Sequence, residues 1–222
     1  MELVTPMKSC ILCFSFATLS LLLLLSASCA KQAALTPEEP PSRGERDRVM
    51  SELHATRKEL LDAIASVSDE KLKTAIGNQP SPSEAVEALI IRERNLLTAM
   101  GASVLGTEAP EAEPKDLSRE QLQARAAEAA EKLRNTVEAC VDKIGIDGFR
   151  VLPNPAGLDG ANLTQGFRAT RDANIVFARE TNYSLKRRII KDDTCGDMNL
   201  TTALMLQSAL TGKVAAMVKA AK

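Results

Sequence analysis

The chain of 222 residues has no Trp, one Tyr and one His, and aromatic residues make up only 3% of it. A single imidazole, with two thiols outside the N-terminal segment, is too little to build a zinc site. Excess charge is also missing: 28 Lys and Arg face 29 Asp and Glu, for a net charge of -1. The chain therefore lacks the positive field that a nucleic-acid partner requires, and no nucleic acid is expected. Runs of β-branched residues are scarce, whereas Ala, Leu, Glu, Lys and Arg recur through long stretches. That composition favours helix over sheet.

What is present begins with an apolar N-terminal segment. A short polar start with Lys8 leads into an apolar stretch over residues 9–28, including five leucines from Leu21 to Leu25, and small residues Ser26, Ala27 and Ser28 precede Cys29. This is the three-part layout of a secretory leader over residues 1–28, and Met7 directly before Lys8 offers an alternative start. A run of this length also suits a membrane-spanning anchor. Small residues ending in Cys resemble the lipobox of bacterial lipoproteins, although Ser26 stands where that motif usually has Leu. The resemblance implies cleavage before Cys29 and lipidation of its thiol, which anchors a protein without a spanning helix. Residues 29–47 are rich in Pro, Glu, Ser and Ala and read as a flexible tether. The expected location is a bacterial membrane facing the periplasm, and Ala30 shows none of the acidic signal that retains some lipoproteins in the inner membrane, which favours the outer one.

Removing the leader leaves roughly 190 residues, the size of one compact domain, assigned to residues 48–222. Cys10 and Cys13 fall in the leader, so Cys140 and Cys195 are the two thiols of the folded part. In an oxidising compartment they either bridge, closing a loop of about 55 residues worth roughly 3 to 4 kcal/mol, or remain two buried thiols. Their wide spacing lacks the proximity that tunes thiols in redox motifs.

Five helices are predicted by periodicity. Val49, Leu53, Leu60, Ile64 and Val67 recur at three-to-four spacing and give a first amphipathic helix ending near Ser68 and Asp69. Pro80 and Pro82 stop any continuation; Ser83 with Glu84 opens a second helix, buried through Val86, Leu89, Ile90, Leu96, Leu97, Met100 and Val104. Residues 107–116, with Pro110 and Pro114, read as a linker, and Ser118 with Gln121 opens a third helix running to about Lys143. Gly145, Gly148, Pro153, Pro155 and Gly157 mark residues 145–166 as a long irregular connection. A fourth helix over residues 167–187 is expected to turn Ala169, Ala173, Val176 and Phe177 inward, and a fifth over 199–220 to bury Leu200, Leu204, Leu210, Val214 and Met217. No segment reads as a strand. The expected class is all-α, an up-and-down four-helix bundle with an extra helix and a long Gly- and Pro-containing loop.

The order of these segments resembles the DinB-like superfamily of helical bundles. Leu53-His54-Ala55-Thr56-Arg57-Lys58-Glu59-Leu60-Leu61 looks like that family's opening helix. The segment Ser81-Pro82-Ser83-Glu84 through Arg92-Glu93 looks like its second, and Arg171-Asp172-Ala173-Asn174 through Gly196-Asp197-Met198-Asn199-Leu200 like the approach to its last. Many members bind a divalent metal through one His on the second helix and two His four apart on the last. The corresponding positions here look like Ala88, Ala209 and Lys213, none of which offers an available lone pair at neutral pH. The resemblance thus implies the bundle without its metal, and no cofactor is expected.

The expected function is a binding or structural module, partnered by the membrane through its lipid and by a protein or small-molecule ligand. The alternative implied by the family is a metal-dependent hydrolase or thiol transferase, with His54, Glu93 and Asp172 as substitute ligands. Two further clusters stand out. Lys186-Arg187-Arg188 with Lys191 reads as a cationic helix end or an anion contact, and Asp192, Asp193 and Asp197 as a polar turn or an oxygen-ligand cation site. Asp197 or Asn199 is the expected cap of the last helix.

Overall fold

The computed structural model describes residues 38–106, 117–151 and 155–222. The proposed leader, Cys10, Cys13, Cys29, the first part of the tether, the linker over 107–116 and Pro153 lie outside the described residues. Those residues form α1 (Arg43–Ala65), α2 (Asp69–Lys73), α3 (Pro82–Gly101), β1 (Val104–Leu105), α4 (Arg119–Ile144), a 3-10 turn (Asp147–Phe149), α5 (Gly160–Glu180), β2 (Arg188–Asp192), β3 (Gly196–Asn199) and α6 (Leu200–Ala220).

Each α-helix starts where a short polar side chain satisfies a free N–H of the first turn. Ser42 and Ser118 do so in reciprocal capping boxes with Glu45 and Gln121. Ser68, Asp159 and Asn199 cap α2, α5 and α6. The second long helix begins two residues earlier than expected, because Ser81 rather than Ser83 is the cap. Pro82 then occupies the first helical position, where its fixed φ fits and its missing N–H costs nothing.

Four long helices, α1, α3, α5 and α6, enclose the core, in which Leu53, Leu60, Leu163, Phe167, Leu204, Leu210 and Val214 are wholly buried. Each such side chain contributes about 1.5–3 kcal/mol relative to exposure. The long helices alternate in sense along the chain. The Arg57–Asp172 pair and the Arg46 contact with Arg179 make α1 and α5 antiparallel, whereas the Glu59–Lys219 pair makes α1 and α6 parallel. Glu93 meets Arg171 while Ile90 lies against Gly166, so α3 and α5 also run parallel. With α4, which starts beyond the end of α3 and brings the chain back to Glu84 at its start, the five long helices run up, down, up, down, up.

A second correction is a small antiparallel sheet, order β1-β2-β3, where no strand was expected. Val104 pairs with Ile189, and Ile190 with Met198. Only Ile190 and Met198 of these strands are buried, so the period-2 signal amounts to two residues. The hairpin turns at Gly196, whose φ of 79° suits glycine, and Asp192 Oδ1 accepts the N–H groups of Thr194 and Cys195 at 2.9 and 2.8 Å.

The connection after α4 is shorter than expected, because α5 begins at Gly160 rather than 167. It is held by carboxylates: Glu84 accepts from Val151 N–H at 3.1 Å, and Glu87 from Ala156 and Leu158 N–H at 2.7 and 3.1 Å. Gly160 donates to Asp69 at 2.8 Å, and a Cβ there would lie 3.3 Å from Leu72. The inward face of α5 is also corrected. Ala169, Ala173 and Val176 are exposed and Phe177 is half-buried, while Leu163, Phe167, Thr170, Arg171, Asn174, Ile175 and Ala178 are buried.

Candidate functional site

The inward face of α5 was misread because three of its buried residues are polar. Thr170, Arg171 and Asn174 meet Glu93 of α3 and Gln207 and Thr211 of α6 at the centre of the bundle. Glu93 and Arg171 form an ion pair with both side chains fully buried, the guanidinium Nε lying 3.3 Å from Glu93 Oε2 and Nη2 reaching Oε1. Arg171 also donates to Thr211 Oγ1 and, at 3.2 Å, to Thr56 Oγ1, and lies 5.3 Å from the centre of the Phe167 ring. Thr211 Oγ1 is 3.1 Å from Glu93 and 2.7 Å from the Gln207 carbonyl. Gln207 Nε2 donates to Asn174 Oδ1 at 2.9 Å, and Asn174 donates back to the Thr170 carbonyl at 3.0 Å.

Burial pushes the Glu93 carboxyl above its usual range, while Arg171 and Thr211 pull it down. The guanidinium cannot shed its proton, so a neutral Glu93 would strand a cation in the core. The pair is therefore ionic at neutral pH. Neither partner has a face open to a substrate.

The residues singled out from the sequence do not converge. His54 is exposed on α1, Glu93 is sealed in the core, and Asp172 is exposed on α5, paired with Arg57 at 2.9 Å. Among the described residues, no group of three His, Cys, Asp or Glu side chains is placed to hold a metal ion. Ala88 is buried on α3, and Ala209 and Lys213 are half-buried on α6. The cationic run is internally paired: Lys186 with Glu45 at 2.9 Å and Arg188 with Glu38 at 2.7 Å. Asp192 binds Arg92 at 3.3 Å and caps its turn, so the acidic cluster is a structural corner.

Cys140 and Cys195 are joined in a disulfide, with their Cα atoms 5.2 Å apart. It ties α4 to the β2–β3 hairpin and forms part of an open groove of about 680 Å³. Glu131, Lys132 and Lys143 line one side of the groove and Asp197 and Thr202 the other. Its size falls in the range of small-molecule sites, and its walls carry both signs of charge.

The sequence reading missed Arg171, Gln207 and Thr211. A signal existed: Glu93 stands on the same apolar stripe as Leu89, Ile90, Leu96 and Met100, and Gln207 and Thr211 continue that of Leu200, Leu204 and Val214. Polar residues at stripe positions of two helices must find each other or leave charge unpaired. Compared with protein-family models, curated proteins and solved structures, the chain shows no match.

Proposed function

We propose that this chain is a cell-envelope lipoprotein, anchored through Cys29, whose folded part is a DinB-like bundle acting as a binding or structural module. The observation that carries the reading is the fate of the groups an enzyme would use. Glu93 is spent on Arg171 and Thr211, Asp172 on Arg57, and His54 stands apart from both. The positions that match the family's metal ligands, Ala88, Ala209 and Lys213, lie on α3 and α6, two helices that pack together, and present no imidazole. The charged pair of the interior, Glu93 and Arg171, is spent on itself, and the groove beside the disulfide has the volume for a ligand.

The test is made on the full chain expressed in a bacterial host. Mass spectrometry is expected to find a lipid on Cys29, and Cys29→Ser to release the protein from the membrane fraction. Elemental analysis after exposure to zinc, nickel and manganese is expected to find no stoichiometric metal. Bound metal that is lost on His54→Ala would overturn the module in favour of the enzyme.

A further inference from the structure

The described part of the tether expected over residues 29–47 is docked on the folded domain, and α1 begins within it at Arg43. Glu38 grips Arg188 with both carboxylate oxygens, at 2.8, 3.1 and 2.7 Å, and accepts the Ser184 N–H at 2.7 Å. The Arg188 guanidinium is stacked 4.2 Å from the centre of the Tyr183 ring and donates to the Ser103 carbonyl at 2.7 Å. Pro41 is buried, Ser42 opens α1, Glu45 pairs with Lys186 at 2.9 Å, and Arg46 donates to the Arg179 carbonyl. The strap is thus buckled at its first described residue, and the side chains of Glu38 and Arg188 are only 18% and 21% exposed.

Eight residues separate Cys29 from Glu38. Fully extended, that stretch spans at most about 30 Å. The helices α1, α3, α5 and α6, of 20 to 23 residues, make the bundle core about 30 Å long. The buckle lies at one end of it, with the start of α1, the end of α5 and the Ser103 carbonyl after α3. Among the cations of that end, Lys186 is paired with Glu45 and Arg188 with Glu38.

We propose that the Glu38–Arg188 buckle sets the pose of the domain on the bilayer, making the end formed by residues 38–46 and 181–188 the membrane-proximal face. This inference rests on the lipid anchor at Cys29. The partner surface is the bilayer that holds that lipid, and the opposite end, with α2 and the connection after α4, points away from it.

The lipidated full chain is reconstituted in phosphatidylcholine vesicles carrying a phospholipid with a photo-crosslinking headgroup, and the labelled peptides are mapped. Labels are expected to be enriched several-fold on residues 38–46 and 181–188 over residues 66–80 and 147–151. Glu38→Ala is expected to flatten that ratio, and Glu38→Gln, which keeps the shape of the side chain and removes its charge, to reduce it. Even labelling of the lipidated wild type, or a ratio unmoved by either variant, overturns the buckle alone. An unmodified Cys29 in the mass spectrum overturns the lipid anchor, and the inference with it.

Discussion

The central ion pair invites a direct perturbation: Glu93→Leu, Arg171→Met and the two together. Removing one partner leaves the other unpaired in a site with no solvent exposure, which costs about 3–5 kcal/mol. Arg171→Met also removes the donors to Thr211 and Thr56 and the contact with the Phe167 ring. Against a domain stability of about 5–15 kcal/mol, that is a large fraction. At roughly 2–4 °C per kcal/mol for a chain of this size, each single variant is expected to melt roughly 6–20 °C lower. The double variant strands no polar partner, because Thr211 keeps the Gln207 carbonyl at 2.7 Å and Thr56 keeps the Glu52 carbonyl at 2.9 Å. It is expected to lie within about 1 kcal/mol of wild type, or above it. Urea titration of all four proteins, with m unchanged, gives the coupling energy directly. Single variants costing under about 1 kcal/mol, or a double variant costing their sum, would refute a closed and dry pair.

Three further outcomes follow from named contacts. Replacing Cys140 and Cys195 by Ser removes a crosslink across 55 residues, expected to cost about 4 kcal/mol; a midpoint in urea that does not move would show that the cross-link adds no stability. Glu87→Ala frees the Ala156 and Leu158 N–H groups, and a loss of about 1–3 kcal/mol is expected, with faster exchange of those two amides as the local signature. Glu38 responds to acid: the Arg188 guanidinium holds its carboxyl below the usual range against the upward push of burial, helped by the Ser184 N–H and Arg187. A lowered pKa means that its stabilisation is present above the ordinary Glu value and fades as pH falls through the lower folded one. Protection of the Ser184 amide against hydrogen exchange, corrected for intrinsic rate, is expected to hold at the ordinary Glu value and to be lost only as pH falls through the lower folded one. Protection that persists until the whole domain unfolds would sink the buckle as the source.

Much of the architecture was legible before any coordinates. The first-helix stripe of Val49, Leu53, Leu60 and Ile64 is buried as its spacing requires, and so are Leu200, Leu204, Leu210 and Val214 of the last. Ser118 announced its helix, and of the two caps expected for the last helix, Asp197 or Asn199, it is Asn199 that serves, because a cap is a local exchange between one side chain and the N–H groups of the next turn. Where local chemistry was ambiguous, the reading slipped. Ser81 and Ser83 are both good caps, and the position of Pro82 decides between them. The apolar residues Ala169, Ala173 and Val176 form a plausible stripe that faces solvent, since the competing face carries an arginine no pattern rule would place inside.

Residue pattern by itself determined the helical class, most helix starts and the near-neutral surface, because these depend on neighbours within a turn or two along the chain. Only the tertiary structure decided the pairing of β1 with β2, the docking of residues 38–42, and the fate of Glu93. Each of those depends on a partner more than fifty residues away: Arg171 for Glu93, Arg188 for Glu38, Ile189 for Val104. A charge on an apolar stripe is a cost until its counter-charge arrives, and the arrival is settled by how whole helices pack.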